Sequence, residues 1–507
     1  MSKRFKKLTS VLAGIAMMAI MCTGAVANET KAPSSLPDQT TERKLIIHKY
    51  SPKSESDAKG TGEAAEIKDK TPLENVEFDI YKAASLDKIS TGEVKLAEKP
   101  SDADITKYAV AGNKVATVKT DKNGEATFTP SKEDGKYVDY VYLVVEKDNP
   151  AVKAKADPFF VSVPCTNPDG NGWLYTVNVY PKNDVIGTPH VDKDVNAIGN
   201  KHSGVDLNKE FSWIIRGDVP ADLYYTDSQG KPVYAKEYKF TDTFDPRVDY
   251  VSSEVKLSQK DGNEAVIDAK YYDITEPQNT DGNRTLTIKL NNEGMKYIAE
   301  NLGTGDKKAE IRVYVKARLN ATAEMGTEVP NDVTLDYTNS TGTKYEPQTP
   351  EKKPEVHTGG LKILKYDSAS KTTYLKGAEF KLAASNEDAK NGNYLKDAAG
   401  NEITITTDEN GKAEYKGLAY DSEKGGTTYY LVETKAPEGY RLLNNAIVVT
   451  VNKDSYKADV VTIEVPNSKK FVLPVTGGMS AVIFVIIGAA LIGGAVVINR
   501  YQKKTAK

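Results

Sequence analysis

Few residues in this chain are of types that carry chemistry. The 507 residues include only four His and two Cys. Cys22 falls in an N-terminal leader described below, which leaves Cys165. One thiol cannot close a disulfide within the chain, and a structural zinc site takes four ligands. We therefore expect no metal and no cofactor. There is no glycine-rich phosphate loop, and with so few His no Ser/His/Asp order is persuasive. Two other positions stand out. Lys182 closes the segment Trp173-Leu174-Tyr175-Thr176-Val177-Asn178-Val179-Tyr180-Pro181-Lys182, where Val177 and Val179 alternate with polar residues as in a strand. Pro181 fixes the backbone just before Lys182 and keeps Tyr180 extended, a setting that presents one amine at a domain edge. Thr476 lies in Leu473-Pro474-Val475-Thr476-Gly477, directly ahead of an apolar run from Met479 to Ile498. That run is about twenty residues long, enough to cross a bilayer as a helix. The tail 499–507 has four cations and no acid, which should hold it on the cytoplasmic side.

The N-terminus points to export. Lys3, Arg4, Lys6 and Lys7 precede an apolar stretch, Leu8 to Ile20, and the small-residue site Ala25-Val26-Ala27. This is the pattern of a signal peptide over 1–27, with Asn28 as the first mature residue. A lipoprotein reading of Cys22 is disfavoured because Met21 is too large for that cut. Net charge is −3 with both signs interspersed, which gives no reason to expect nucleic acid as a partner. Hydrophobic content of 39% with 29 Tyr and 11 Phe suffices for real cores.

Strand signals dominate the elements that must position these residues. They include Lys44 to Tyr50, Val76 to Tyr81, Tyr140 to Glu146, Trp173 to Val179, Glu310 to Val315, Gly360 to Tyr366, Thr428 to Glu433 and Ile447 to Val451. The best helical candidate is Asn291 to Leu302. Short strands between turn signals predict an all-β protein of β-sandwich domains. Two linkers are expected, Pro181 to His190 and the proline-rich Pro347 to Gly360, which should not form a central strand. They divide the chain into domains at 44–185, 186–350 and 355–470, after a disordered stretch at 28–43. The first and third domains are related in sequence. Ile46 to Tyr50 parallels Lys362 to Tyr366, and Pro72 to Phe78 parallels Tyr374 to Phe380. Thr120 to Ala126 parallels Thr407 to Ala413, and Tyr142 to Glu146 parallels Tyr430 to Glu433.

The pentapeptide 473–477, the span 479–498 and the basic tail 499–507 together resemble the LPxTG sorting signal of Gram-positive surface proteins. In that family a sortase cuts between Thr and Gly and passes the Thr carbonyl to an amine. The segment Tyr430-Leu431-Val432-Glu433-Thr434-Lys435-Ala436-Pro437-Glu438-Gly439-Tyr440 resembles the B-type domains of Gram-positive collagen-binding adhesins and pilins. There a Lys and an Asn on adjacent strands join by an isopeptide bond promoted by the Glu of this box. The resemblance implies Lys365, Glu433 and Asn467. In the middle domain Val191 to Val195, Phe240 to Phe244 and Val329 to Val333 resemble the A-type adhesin sandwich, in which Asp replaces Glu. That implies Lys193, Asp242 and Asn331. In the first domain Lys49 and Glu146 align with Lys365 and Glu433, and Asn183 is the natural partner. The box after Glu146 departs from the pattern, so this third bond is the least supported of the three. Burial would make such a Lys neutral and nucleophilic and keep the acid protonated. The alternative is a salt bridge or a solvated face, since Lys and Glu are seldom fully buried.

Trp173 to Lys182 is similar to the pilin motif WxxxVxVYPK at Trp173, Val177, Val179, Tyr180, Pro181 and Lys182. By that resemblance Lys182 attacks the sortase-bound Thr476 of another copy. The chain is thereby identified as resembling the major, or backbone, pilins assembled by sortase. The expected fold is three tandem immunoglobulin-like β-sandwiches (B-type, A-type, B-type) with a C-terminal transmembrane helix. The expected place is a secreted, wall-anchored pilus on the surface of a Gram-positive bacterium. Expected partners are a pilus-specific sortase, other copies of the chain, minor pilins, peptidoglycan through a housekeeping sortase, and a host surface ligand. No enzymatic activity is expected beyond self-directed isopeptide chemistry. The competing reading is a monomeric sortase-anchored adhesin.

Overall fold

The computed structural model describes residues 36–52, 60–280, 282–457, 463–471 and 478–504. The expected signal peptide 1–27, the first half of the polar stretch 28–43 and the 473–477 motif lie outside the described residues. The chain divides into two compact units that meet at Val185 and Ile186.

In the first unit the strand Lys44–His48 alternates, burying Leu45 and Ile47. It pairs in parallel with Thr176–Val179 and antiparallel with Glu125–Phe128. A four-stranded sheet runs Lys114–Lys119, Glu77–Ser85, Tyr140–Glu146, Phe159–Val163. Leu45, Ile47, Phe78, Ile80, Tyr142 and Val177 meet in one core. The segment Trp173 to Val179 is not one strand. Trp173–Leu174 pairs with Cys165–Thr166, whereas Thr176–Val179 joins Lys44–His48, so the chain changes sheets at Tyr175. Residues 36–43 differ from the expected disorder. Arg43 is fully buried, with its guanidinium 2.8 Å from Asp139 and over the rings of Tyr137 and Tyr175. A planar cation held by a carboxylate and two aromatic faces ties down a segment whose polarity alone suggests solvent.

The second unit holds two further cores. In the middle part a five-stranded sheet runs Val191–Val195, Glu210–Asp218, Glu310–Leu319, Val248–Ser258, Glu264–Val266. A four-stranded sheet runs Tyr272–Thr275, Thr285–Leu290, Glu237–Thr243, Thr334–Thr338. The predicted helix is present as Asn292–Glu300; the Asn291 side chain accepts from Gly294 N, and Met295 and Ile298 turn inward. In the C-terminal part Gly359–Asp367 pairs antiparallel with Lys412–Leu418 and in parallel with Ile463–Asn467. Another sheet there runs Thr404–Thr406, Glu379–Ala383, Thr427–Lys435, Ile447–Val451.

The stretch Pro347 to Gly360 corrects the reading as a linker. Glu355–His357 is the central strand of a three-stranded sheet, between His202–Gly204 and Val329–Pro330. The prolines of this stretch all precede it, so Glu355, Val356 and His357 keep their N–H groups for the ladder. The expected cut between 350 and 355 therefore passes just ahead of a strand that belongs to the middle sheet. Beyond the domains, Gly478–Lys504 is a helix, and its segment Ile483–Lys504 is the one among the described residues long and apolar enough to cross a membrane.

Candidate functional site

Three buried lysines organise the molecule. In the first unit Lys49 lies between the strands Lys44–His48 and Tyr50–Ser51, with no exposed surface. Its Nζ donates to Glu146 Oε2 at 2.7 Å and also to Asn183 Oδ1. Asn183 Nδ2 donates in turn to Glu146 Oε1. The three side chains form a closed ring, and Ala156 N holds Glu146 Oε2 from outside at 3.1 Å. In the middle part Lys193 is fully buried on Val191–Val195 and donates to Asp242 Oδ2 at 2.6 Å and to Asp332 O at 3.1 Å. Burial drives the Lys193 amine below its ordinary range and the Asp242 carboxyl above it; Lys193 and the neighbouring Asn331 amide oppose the rise at Asp242. The favoured state of both groups moves towards neutral. In the C-terminal part Lys365 Nζ is 2.9 Å from Glu433 Oε1. Asn467 Nδ2 reaches Glu433 Oε1 at 2.9 Å and Oε2 at 3.2 Å, and Arg441 O at 2.9 Å. Burial lowers Lys365 as well, against the pull of Glu433.

All nine residues expected for the three triads are thus buried, and in each triad the acid touches both Lys and Asn. Lys365 Nζ, Asn467 Oδ1 and Asp242 Oδ1 are among the buried polar atoms with no well-formed hydrogen bond. Leaving a buried polar atom without a partner costs desolvation free energy.

The first and third sites share one backbone design. Lys49 N donates to Gly124 O and Lys365 N to Gly411 O, each at 2.7 Å; Leu73 N and Leu375 N return to the carbonyls of Lys49 and Lys365. Phe78 stands opposite Glu146 and Phe380 opposite Glu433 in the strand register. Each ring lies under its lysine, at 5.6 and 5.4 Å from Nζ, and Trp213 does the same for Lys193 at 5.5 Å. The sequence reading missed this aromatic floor, although Phe78 and Phe380 stand at equivalent positions of the repeat. It also missed Tyr440, whose hydroxyl donates to Asp367 beside Asn467 at 2.9 Å.

Lys182 is placed by different means. Tyr50 N donates to Pro181 O at 3.4 Å, and Asn183 N donates to Tyr50 O at 3.0 Å. The backbone on both sides of Lys182 is therefore held by one residue, next to Lys49. Side chains alternate along an extended chain; Asn183 is buried, while Lys182 is half-buried. Val177 is buried in the core and Val179 packs against it. Tyr180 stacks on His48 with ring centroids 4.7 Å apart, and its hydroxyl accepts from Ala65 N at 2.6 Å. Trp173 is half-buried on its own short strand. Leu473, Pro474, Val475, Thr476 and Gly477 lie outside the described residues.

Comparison with known proteins agrees with this architecture. Residues 40–184 match the family model of the Gram-positive pilin subunit D1, N-terminal domain. Residues 359–465 match the model of a prealbumin-like fold domain. The chain thus carries a domain of the Gram-positive pilin D1 type and a prealbumin-like domain. It is 28% identical over 526 aligned positions to the fimbrial subunit type 1 of Actinomyces viscosus, covering 95% of this chain and 94% of that one. It is 27% identical to the fimbrial subunit type 2 of Actinomyces naeslundii, covering 85% and 84%. Among solved structures, the full-length major pilin SpaD of Corynebacterium diphtheriae aligns at 23% identity over 87% of this chain and 100% of that one, with a TM-score of 0.44.

Proposed function

We propose that this chain is the shaft subunit of a covalently polymerised pilus, joined Thr476 to Lys182 by a pilus-specific sortase. Its character as a pilus subunit rests on the domain matches and on the fimbrial relatives. The observation that carries the linkage is the setting of Lys182: a half-buried amine whose flanking backbone is pinned to Tyr50 where the chain leaves its first domain. In the transfer, the Thr476–Gly477 peptide bond breaks and an amide forms between the Thr476 carbonyl and Lys182 Nζ of another copy. Gly477 leaves with the apolar helix as a free amine, and Lys182 gives up one proton. Minor pilins, and peptidoglycan through a housekeeping sortase, complete the assembly at the cell wall.

Within each subunit, Lys49–Asn183, Lys193–Asn331 and Lys365–Asn467 form isopeptide bonds. Nζ of the neutral lysine attacks the Asn side-chain carbonyl, the C–Nδ2 bond breaks, and ammonia departs. The buried acid takes the proton from Nζ and delivers it to the leaving nitrogen. The ring in the first domain suits this shuttle, since one oxygen of Glu146 faces Nζ and the other faces Nδ2. Contact between reactants replaces an unfavourable encounter.

The test of polymerisation is Lys182→Arg, which keeps the charge but removes a nucleophilic amine. On a blot of wall extracts, high-mass ladders should disappear while wall-anchored monomer remains. A normal ladder would transfer the linkage to another lysine. A single band for the unmutated chain would favour the monomeric adhesin.

A further inference from the structure

Outside these sites, one buried titratable cluster sits where the middle and C-terminal parts of the second unit meet. His357 is 1% exposed and Glu355 is 5% exposed, on the same short strand. His357 Nδ1 lies 3.0 Å from Glu355 Oε2, and Nε2 lies 2.9 Å from Tyr420 O. The imidazole also packs on the Tyr420 ring, with centroids 4.2 Å apart. Tyr420 follows the strand Lys412–Leu418 of the C-terminal part, whereas Glu355–His357 belongs to the middle sheet.

The chemistry of the contacts is decisive. A backbone carbonyl only accepts, and so does an ionised carboxylate. A neutral imidazole has one N–H and one lone pair, so it can satisfy only one of these neighbours. Both contacts hold together only if the His357–Glu355 pair carries one proton more than a neutral imidazole beside a carboxylate. The other groups nearby include a second imidazole, which pairs with Glu355 and not with the His357 ring. His202 Nδ1 is 2.7 Å from Glu355 Oε1, on the neighbouring strand. Glu328, ahead of Val329–Pro330, adds a further negative charge, and Asp454 acts on Tyr420.

We propose that the His357–Glu355 pair is a proton-dependent lock that fixes the C-terminal domain onto the middle domain. While the proton is held, the ring bridges Glu355 and the Tyr420 carbonyl. When it is lost, the Nδ1 lone pair faces a carboxylate and one bridge must open. The rest of the junction makes this consequential. Ala419 N donates to Asp206 Oδ1 at 2.8 Å, and Leu207 N to Gly417 O at 3.1 Å. Gly204 approaches so closely that a Cβ there would sit 2.0 Å from Tyr420 O. A junction this tight transmits the loss of one bridge to its neighbours. Burial opposes the charge on His357, but Glu355, the Tyr420 carbonyl and Glu328 together hold the group above its ordinary range. A raised folded pKa means the stabilisation is complete below the unfolded value, near 6.5, and is lost as pH rises through the folded one.

The experiment uses the full chain in detergent micelles. The four imidazole C–H resonances are assigned by single His→Gln substitutions and titrated from pH 5 to 9. His357 should titrate above 6.5, and Glu355→Gln should move it down. Hydrogen exchange at residues 355–359 and 417–421, compared between the unmutated chain and His357→Gln at equal pH, reads the lock itself. Protection should be about tenfold higher in the unmutated chain at pH 6 and converge above the His357 midpoint. A His357 midpoint at or below 6.5, or a protection ratio that does not change with pH, would overturn the proposal. If His357→Gln fails to fold, Glu355→Gln carries the same test: the Gln amide N–H can donate to Nδ1 of a neutral ring while Nε2–H still donates to Tyr420 O, so its protection should stay level across the range, and a fall at the unmutated chain's midpoint would overturn the proposal.

Discussion

At the scale of single residues, the three buried acids decide whether the lysines beside them are structural ion pairs or reactants. A buried ion pair gains little over an apolar replacement, because desolvation offsets the attraction. A covalent bond gains much more. Closing a loop of about a hundred residues constrains the unfolded chain by about 4–5 kcal/mol in the entropic model, as a long-loop disulfide does. We expect the intact mass of the mature ectodomain to fall short of its sequence mass by one ammonia per bond, three in all. Glu433→Ala, Asp242→Ala and Glu146→Ala should each restore one. An unmodified mass for the parent chain would leave all three lysines as ion pairs. A pH test separates the same alternatives. In Asn467→Ala the Lys365 amine cannot react and stays buried, with its pKa below the ordinary value. The unfolded chain then binds more protons than the folded one between the folded pKa and about 10.4. Stability should therefore rise with pH across that window. In the parent chain the proposed bond makes Lys365 an amide that does not titrate, so the melting temperature of its C-terminal domain should lack this rise.

At the scale of elements, the repeated turn that follows the first and third lysines sets their position. Gly124 and Gly411 have φ of +74° and +66°. A Cβ at Gly124 would lie 2.5 Å from Lys49 O, and one at Gly411 would lie 2.3 Å from Lys365 O. Both the left-handed conformation and the space exclude a side chain. Gly411→Ala should cost about 1 kcal/mol or more, a drop of roughly 4–8 °C for a domain of this size. It should also slow bond formation, because the clash falls on the residue that must attack. A time course of intact mass after refolding would read this. Unchanged kinetics would mean the turn supports the fold but not the reaction.

At the scale of the whole molecule, the proposed linkages define a path for tension. Force enters at Lys182 and leaves at Thr476, so residues before 182 lie off the covalent path. The bond Lys49–Asn183 then bears no load and serves to pin the backbone beside Lys182. The bonds Lys193–Asn331 and Lys365–Asn467 instead shunt force past everything between their ends. In single-molecule pulling between Lys182 and the C-terminus, Glu146→Ala should leave the extension trace unchanged. Glu433→Ala should release the chain between 365 and 467, up to roughly 350 Å at full extension. Asp242→Ala should release a longer segment. An added step for Glu146→Ala would place the first domain in the load path and count against Lys182 as the point of attachment.

Much of this was legible in the chain alone, for physical reasons. β-Branched and aromatic composition disclosed Tyr140–Glu146, buried continuously from Val141 to Val144, and alternation disclosed Ile447–Val451, which buries Val449 and Val451 at period two; both have their expected bounds. The repeat between Lys49 and Lys365 was visible because the same turn and the same aromatic floor demand the same residues. The apolar helix near the C-terminus needed only its length and composition. Tertiary structure decided what depends on partners distant in sequence. The burial of Arg43 depends on Asp139, and the split at Tyr175 depends on two sheets competing for one segment. The strand Glu355–His357 looked like linker because its proline-rich approach masks three residues whose place is set by His202–Gly204 and Val329–Pro330. The paired demands on His357, from a carboxylate on its own strand and a carbonyl in the next domain, exist only once the two parts have packed.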